Sequence, residues 1–518
     1  MKKRKKIILG SITGALALAL AGGGFWAYKT FVPQETPIDK NATVASNFYQ
    51  AVNKDWLLKT KIPADSPSID NFYTLDEDIK GKLKKDIKNL GEGKETSDIT
   101  GMSEFITFYK AASDYKQREK DGLEPLKPYL KEIEDIKDLN DLASKSASLT
   151  DKGIPLPFGY DVGTNAENTS QKQIQLSPPS ILLPDVSIYK DEASKKQYLT
   201  PIETATQKAL EMLGYSEKNS KRIVKEALEF DEIIAKYSLS NEEMSESKNL
   251  VHPKTAEEIN AYSGSFKLYD VIKGIMGRDL ETINVPNTKY FENYSKIVNQ
   301  DNFSKIKSWI LVQEAMAASN SLTEDYRLNF QSISMAIMGT QKPVSKEDTV
   351  YEMSVHLFSD VMSVYYGRKY FGEEAKTDVT DMIDKIKNVY RGRLQQNNWL
   401  TEGTRNKAIE KLDKMKVFVG YQEDVDPGTK ELHLDPNKSF FELSEDIAQF
   451  GKRYTIDHFD DPIDKNKWSG SAFDINAYYN PESNSINFPA GILQAPFYDK
   501  NQSTEKNYGG IGVVIGHE

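Results

Sequence analysis

The chain has 518 residues, with 67 basic and 77 acidic side chains, a formal net charge of −10, five histidines and no cysteine. This length predicts two or more domains rather than a single core. The acidic balance argues against a nucleic-acid partner, because phosphate binding needs a basic surface. The absence of cysteine excludes disulfides, thiolate metal sites, cysteine nucleophiles and a lipid-modified N-terminal cysteine, so any metal site must use histidine together with carboxylates.

Residues 1–28 have the pattern of a targeting segment. Basic residues 2–6 precede an uncharged run, residues 7–28, which as a helix would be roughly 33 Å long and could cross a bilayer. The pattern predicts either an uncleaved anchor with the body outside the cell, or a signal peptide with Ala19-Leu20-Ala21 as its cleavage site. Trp26 and Tyr28 are typical of a membrane interface and favour the anchor. In both cases the body is at the cell membrane on the outside, or secreted, and the lack of cysteine favours a Gram-positive bacterium.

The next segments are a polar linker, residues 29–45, and a compact N-terminal segment, residues 46–73. Residues 74–415 are mostly helical in pattern, except for residues 154–186, whose Pro, Gly, Ser and Asn content predicts irregular or strand-like structure. Residues 377–395 show the helical pattern most clearly, because apolar side chains recur at three- and four-residue steps. These side chains, expected to pack in a core, are Val379, Met382, Ile383, Ile386, Val389, Tyr390 and Leu394.

After Met415 the pattern changes to short strands and turns. Strands are predicted at residues 417–421, 473–479 and 485–488, with the turn Asn480-Pro481-Glu482-Ser483-Asn484 between the last two. Residues 507–510 open a final apolar helix that ends in His517 and Glu518.

His517 and Glu518 could begin an H-E-x-x-H motif. In that motif two imidazoles four residues apart lie on one helix face and share a Zn²⁺ ion. The glutamate after the first histidine can accept a proton from the metal-bound water. The second histidine would stand at position 521. Two residues alone do not make a motif, so the interpretation depends on the residues before them.

Those residues carry a specific resemblance. They are the runs Asn-Ala-Tyr-Tyr-Asn-Pro at 476–481, Asn-Ser-Ile-Asn-Phe-Pro-Ala-Gly-Ile-Leu-Gln at 484–494, Ala-Pro-Phe-Tyr at 495–498 and Asn-Tyr-Gly-Gly-Ile-Gly-Val-Val-Ile-Gly-His-Glu at 507–518. From about residue 46 to its end, the chain resembles the neprilysin and endothelin-converting-enzyme family of zinc metalloendopeptidases, which includes bacterial oligopeptidases.

The resemblance implies a mainly α fold. Residues 74–415 would form a large helical domain that restricts access to the site. Residues 416–518 would form the first half of a thermolysin-like α/β lobe, on which residues 46–73 pack. The implied activity is hydrolysis of internal bonds in oligopeptides outside the cell, with one Zn²⁺ ion.

Site residues follow from the same resemblance. His517 matches the first zinc ligand and Glu518 the general base. Asn476 and Ala477 match the pair that holds the substrate main chain at a sheet edge. The residues that match the apolar pocket behind the cleaved bond, implying cleavage before bulky hydrophobic residues, are Phe72, Ile492, Phe497, Val513 and Val514.

Other positions depart from the family pattern or lie outside it. Mammalian members carry two arginines that engage the far primed side of the substrate, and Ser68 and Asp76 stand at the corresponding positions. The resemblance therefore does not carry over a preference for a substrate carboxylate. The histidines without motif context, interpreted as structural, are His252, His356, His433 and His458.

The remaining zinc ligands of the family would follow Glu518. A catalytic zinc site needs three protein ligands, so we expect the 518-residue chain to hold no zinc, to be inactive and to have an incompletely packed lobe. Two alternatives stay open. One is a membrane-tethered protein that binds peptides without cutting them. The other is a fragment produced by a frameshift or an incomplete gene model.

Overall fold

The structure, a computed structural model, describes residues 38–518 and is mainly helical, which confirms the predicted fold class. Residues 1–37, and with them the predicted anchor or signal peptide, lie outside the described residues. From residue 38 onward, no helix is long and apolar enough to cross a membrane.

The helices account for most of the chain. From the N-terminus they are α1 Phe48–Lys59, α2 Asn71–Gly91, α3 Met102–Ser113, α4 Tyr115–Asp121, α5 Lys127–Glu134, α6 Leu139–Asp151, α7 Glu192–Met212, α8 Glu217–Tyr237, α9 Asn241–Met244, α10 Ala256–Tyr262, α11 Leu268–Met276 and α12 Thr288–Phe291. They continue with α13 Tyr294–Ile297, α14 Phe303–Ala317, α15 Glu324–Met338, α16 Lys346–Leu357, α17 Ser359–Tyr370, α18 Glu373–Gln395, α19 Glu402–Asp413, α20 Pro427–Glu431, α21 Phe440–Asp457, α22 Thr504–Gly509 and α23 Ile511–His517. Short 3₁₀ turns lie at Glu124–Leu126, Val186–Lys190, Ser247–Asn249, Gly264–Phe266, Gln300–Asn302 and Ala318–Asn320.

Strands form two small sheets. They are β1 Gly159–Thr164, β2 Lys172–Ser177, β3 Pro253–Lys254, β4 Ile283–Asn284, β5 Lys416–Gly420, β6 Tyr478–Asn480 and β7 Ser485–Pro489. The first sheet has the order β1-β2-β4-β3, and its β1–β2 hairpin lies within the segment predicted as irregular or strand-like. The second has the order β5-β7-β6, with β5 parallel and β6 antiparallel to β7.

Three clusters of buried side chains organise these elements. The first core is formed by α5 to α8 and α10 to α15 with β2 and β4, and Trp309 lies in it, donating from Nε1 to Asp231 at 2.9 Å. The second core joins α2, α3, α16 and α17. Helix α21 connects these two, since Phe441 contributes to the first core and Phe440 to the second. The third core packs α18 and α23 against β5 and β7, and it supports the candidate site.

Two elements near the C-terminus differ from the prediction. The strand expected at 473–479 is only Tyr478–Asn480, because residues 471–474 form a turn in which Asp474 N–H donates to Ser471 O at 3.0 Å. The single final helix is instead two, α22 and α23, separated at Gly510. A Cβ at Gly510 would lie 2.2 Å from the carbonyl oxygen of Phe497, so the close approach of that segment requires glycine and interrupts the helix.

Helix α18 confirms the predicted helix at 377–395, but its apolar face is not all core. Val379, Met382 and Ile383 are buried in the third core. Val389 and Tyr390 continue the same face and are 59% and 58% exposed. The expectation that the whole stripe packs in a core was therefore wrong for its second half, where the described residues provide no covering layer.

Candidate functional site

Helix α23 carries His517 and is fixed by its apolar side. Ile511 and Ile515, four residues apart and hence on one helix face, are both buried in the third core. The backbone N–H of Ile511 donates to Phe497 O at 2.8 Å, which sets the start of the helix. His517 falls in the last turn, and its side chain is exposed.

Glu518 lies against the edge of the second sheet. The backbone N–H of Tyr479 in β6 lies close enough to its carboxylate to lower the pKa of that group. Burial raises the pKa of the Glu518 carboxyl, while His517 and the Tyr479 N–H act in the opposite direction. Glu518 thus lies near strand β6, although 38 residues separate it from Tyr479 in sequence.

Asn476 and Ala477 lead directly into β6 rather than lying within a strand. Ala477 is buried in the third core, whereas the Asn476 side chain is exposed and its Oδ1 accepts from Ala477 N–H at 3.0 Å. Within residues 38–518, β6 pairs with β7 on one side only. The segment therefore presents an exposed amide at a sheet edge.

Two residues that sequence reasoning missed hold this segment in place. The Tyr478 hydroxyl donates to Asp474 Oδ2 at 2.8 Å. Burial raises the pKa of Tyr478 and also that of the Asp474 carboxyl, so both groups are desolvated beneath the edge. In the sequence, the only sign of this contact was the Tyr-Tyr pair in the 476–481 run. Asp474 reaches Tyr478 through a turn that the sequence did not predict.

The five predicted pocket residues are only partly brought together. Phe72 of α2 contacts Phe497 with ring centroids 4.7 Å apart, and Phe72 is 46% exposed. Phe497 packs against the third core, to which the buried Ile492 belongs and against which Val514 also packs. Val513 is 64% exposed and faces away from that core. The arrangement is a half-exposed Phe72 ring in contact with a partly buried Phe497, next to a buried apolar layer.

The described residues do not by themselves fit a catalytic zinc site. In residues 38–518 no three histidine, aspartate or glutamate side chains lie close enough together to hold a metal ion. His517 offers one imidazole, and a catalytic site requires three protein ligands. Among the other histidines, the His458 ring stacks on the Tyr454 ring with centroids 3.9 Å apart, and His433 Nδ1 lies 3.8 Å from Glu104 Oε1. Neither of these neighbours belongs to α23.

Family models account for most of the chain. Two models, both described as peptidase family M13, match residues 44–422 and 476–518.

Several similar sequences come from Gram-positive bacteria. The neutral endopeptidase of Lactobacillus helveticus is 35% identical over 481 residues, covering 93% of this chain and 74% of that protein. The neutral endopeptidase of Lactococcus lactis is 32% identical, covering 92% and 75%. A putative zinc metalloproteinase of Streptococcus gordonii is 31% identical, covering 91% and 84%.

Solved structures share the fold. The crystal structure of PepO from Lactobacillus rhamnosis has a TM-score of 0.87 and 26% identity, covering 92% of this chain and 75% of that one. Zinc metalloprotease Zmp1 of Mycobacterium tuberculosis has a TM-score of 0.83 at 22% identity, covering 93% and 73%. At 22% identity, the similarity to Zmp1 shows a shared fold only.

Proposed function

The chain belongs to peptidase family M13, and from this premise we propose that its function is the zinc-dependent hydrolysis of internal bonds in oligopeptides outside the cell. The observation that carries the proposal is the contact between Glu518 and the Tyr479 N–H. It brings the residue proposed as general base to the sheet edge along which a peptide would lie. The base and the substrate main chain would then be neighbours in space.

The proposed mode of substrate binding is addition of an extended peptide to β6. Main-chain groups of the sheet edge would bind the peptide backbone, and the exposed Asn476 amide would bind a further peptide group. Asp474 and Tyr478 would act as positioning residues, because their hydrogen bond fixes the backbone that precedes the edge.

A preference for cleavage before bulky hydrophobic residues is proposed from the aromatic pair. Phe72 and Phe497 form an apolar surface that is still accessible to a ligand. Burying one large apolar side chain there would contribute about 1.5–3 kcal/mol. Polar or charged side chains would gain nothing comparable at the same place.

We also propose that the 518-residue chain by itself does not hydrolyse peptides. The described residues offer one imidazole, and without zinc the bound water is not activated. In a protein with the full ligand set, the ion would supply a water of lowered pKa and polarise the scissile carbonyl. His517 would be one of its ligands.

An internally quenched peptide with a central bulky hydrophobic residue tests both statements. The 518-residue chain with equimolar Zn²⁺ is expected to show no turnover and no stoichiometric zinc by atomic absorption. A polypeptide that continues through a second histidine at position 521 and the downstream ligand glutamate is expected to bind one zinc and to cleave. Glu518→Gln in that polypeptide should keep the zinc and lose turnover by at least about a hundredfold. Zinc-dependent turnover by the 518-residue chain would refute its proposed inactivity, and failure of the longer polypeptide would refute the peptidase function.

The second candidate function is peptide binding without cleavage, in a protein tethered to the membrane. This candidate is favoured because the described residues form the edge strand and the aromatic pair but do not form a complete set of zinc ligands. Fluorescence anisotropy of a labelled peptide tests it. Saturable binding that Asn476→Ala weakens, with intact peptide by mass spectrometry, supports this candidate, and absence of binding rejects it.

For localisation we propose the outside of a Gram-positive cell, either anchored through residues 7–28 or secreted. The bacterial sources of the relatives support this proposal. Fractionation of the native organism tests it, since protein found only in the cytoplasm would contradict export.

A further inference from the structure

One row of side chains on α2 continues from the aromatic pair into a charged region. Phe72, Asp76 and Lys80 follow each other at four-residue steps, so they lie on one side of the helix, about 6 Å apart along its axis. Phe72 contacts Phe497, and Lys80 ends the row in ion pairs with carboxylates of α16. Asp76 therefore stands one helical turn from the apolar surface proposed to bind a substrate side chain.

The Asp76 carboxylate is exposed and has no cation of its own. The ammonium group of Lys80 is already shared by three other carboxylates, since it lies 3.0 Å from Asp348, 3.4 Å from Glu352 and 3.4 Å from Glu77. Among the ion pairs in the described part of the chain, none includes Asp76. A positive group on a ligand would thus meet no competitor within ion-pair distance.

The surroundings of Asp76 are those of a cleft wall. Burial raises the pKa of its carboxyl to about 6, assisted by Glu352 and opposed by Lys80. A carboxyl that is open to solvent and still desolvated lies on a concave surface, where protein atoms replace part of its hydration. At neutral pH the group is mainly ionised, and an incoming cation would restore part of the stabilisation that it lacks.

Asp76 also faces the sheet edge. Asp474 is near enough to contribute to the raised pKa of Asp76, and Asp474 Oδ2 accepts the hydrogen bond from the Tyr478 hydroxyl that fixes the edge. The imidazole of His356 on α16 acts on Asp474 and not on Asp76. The space between α2, α16 and the edge is therefore apolar at Phe72 and negative at Asp76.

We propose that Asp76 is a specificity-determining residue, which selects peptides with a lysine or arginine within two residues of the bulky hydrophobic one by pairing with that side chain. The inference rests on the peptide-binding surface of the proposed function. Residues two apart in an extended peptide point to the same side and lie roughly 6.6 Å from each other. That spacing matches one turn of α2, so a peptide whose hydrophobic side chain meets Phe72 can bring a cationic side chain to Asp76.

Fluorescence anisotropy with the 518-residue chain tests the proposal through binding alone. The labelled peptides contain one central phenylalanine, with lysine, norleucine or glutamate at one of the four positions nearest to it. At the best position lysine should bind about tenfold tighter than norleucine, more than a fully exposed pair would give, because Asp76 is partly desolvated. Asp76→Asn should remove this difference and leave the norleucine peptide unchanged. Asp76→Lys should reverse the preference in favour of glutamate, and added salt should reduce it in the wild type.

The matched control is Asp78→Asn. Asp78 is an exposed carboxylate of the same helix, two residues further on, and it lies on the other side of α2, where it pairs with Lys82 at 2.5 Å. This variant should keep the preference for lysine. Asp76 is exposed and outside the ion pairs, so the melting temperature should not fall in either Asp76 variant.

The outcomes separate this proposal from the proposed function. Phe72→Ala should weaken the lysine and norleucine peptides by the same factor, because it removes the apolar contact and not the charge. Equal affinity of the two peptides for the wild type, or a lysine preference that survives Asp76→Asn, would overturn the role of Asp76 and leave the peptidase function standing. If none of the peptides bound, the peptide-binding surface would be refuted and the role of Asp76 with it.

Discussion

Replacing Glu314 by glutamine should make the protein more stable at alkaline pH. Glu314 lies on α14 and is 5% exposed, in the region where α14 approaches Glu445 of α21. Burial, assisted by the charge of Glu445 and opposed by Lys452, raises the pKa of Glu314 to about 8. Burial also raises the pKa of Glu445 to about 7, against the effect of Lys452. The two carboxyls form a buried acidic pair with one nearby ammonium group.

The sign and size of the effect follow from proton linkage. The unfolded state releases the Glu314 proton near the ordinary value of 4.5, whereas the folded state keeps it to about pH 8. The contribution of the protonated Glu314 carboxyl to the free energy of unfolding is therefore fully present below pH 4.5 and falls as the pH rises toward 8. Each pH unit in this window removes about 1.4 kcal/mol for one group, so the upper limit is on the order of 4–5 kcal/mol. Because Glu445 titrates in the same region, we expect about 2 kcal/mol to be recovered by Glu314→Gln at pH 8.5.

Thermal and urea unfolding at pH 4 and pH 8.5 measure this difference. At pH 4, where Glu314 is protonated in both the folded and the unfolded state, the variant should match wild type, since glutamine resembles the protonated carboxyl. At pH 8.5 the variant should melt roughly 2–4 °C higher. Glu203→Gln, an exposed site on α7, is the matched control and should follow wild type at both pH values. If the stability of wild type and of Glu314→Gln changed with pH in parallel, the reasoning would be refuted, because ionisation of the buried carboxyl would then cost no stability.

Three further predictions concern other buried groups and the substrate surface. Asp231→Asn should lower the free energy of unfolding by about 3 kcal/mol, because the amide nitrogen that replaces Oδ2 cannot accept from the Tyr189 hydroxyl and Leu182 N–H, which both donate to that oxygen; unchanged urea unfolding would contradict this. Arg118→Met should lower the free energy of unfolding by about 2–4 kcal/mol, since the buried guanidinium donates to the Leu322 carbonyl at 2.9 Å and methionine has no donor to replace it. The melting temperature measures the loss. An equally stable variant would show that water satisfies the carbonyl. Phe72→Ala should weaken binding of a peptide with a bulky hydrophobic residue by roughly tenfold without changing stability, because the ring is half exposed; equal loss for a peptide with serine at that position would show that the apolar contact is not responsible.

Elements defined by local pattern were predicted well. The helix at 377–395 and the strand at 417–421 appear as Glu373–Gln395 and Lys416–Gly420, because a periodic row of apolar side chains lies within a few residues in sequence. The break at Gly510 was not predictable, since its cause is the carbonyl of Phe497, brought there by folding. The shortness of β6 has a local cause, the turn that ends at Asp474, which the residue pattern of 473–479 did not predict.

For the candidate site too, some features were predictable from the sequence and others only from the folded structure. The run that ends in His517 and Glu518 was sufficient for the family, since the chemistry of a metallopeptidase depends on residue types at fixed spacing. Sequence could not show that Glu518 lies against the Tyr479 N–H or that Asp474 supports the edge. The first contact joins residues that become neighbours only after the sheet and α23 pack on the third core, whereas the second is local and depends on the turn at residues 471–474.

By itself, then, the sequence determined the mainly helical class and the peptidase family, and it predicted which residues would be reactive. The tertiary structure alone decided which apolar residues of α18 are covered, which carboxyls hold their protons and where the sheet has its edge. The physical reason is that hydrophobic period and residue chemistry are local properties of the chain. Burial, by contrast, depends on which distant segment packs against a side chain, and it controls both exposure and pKa.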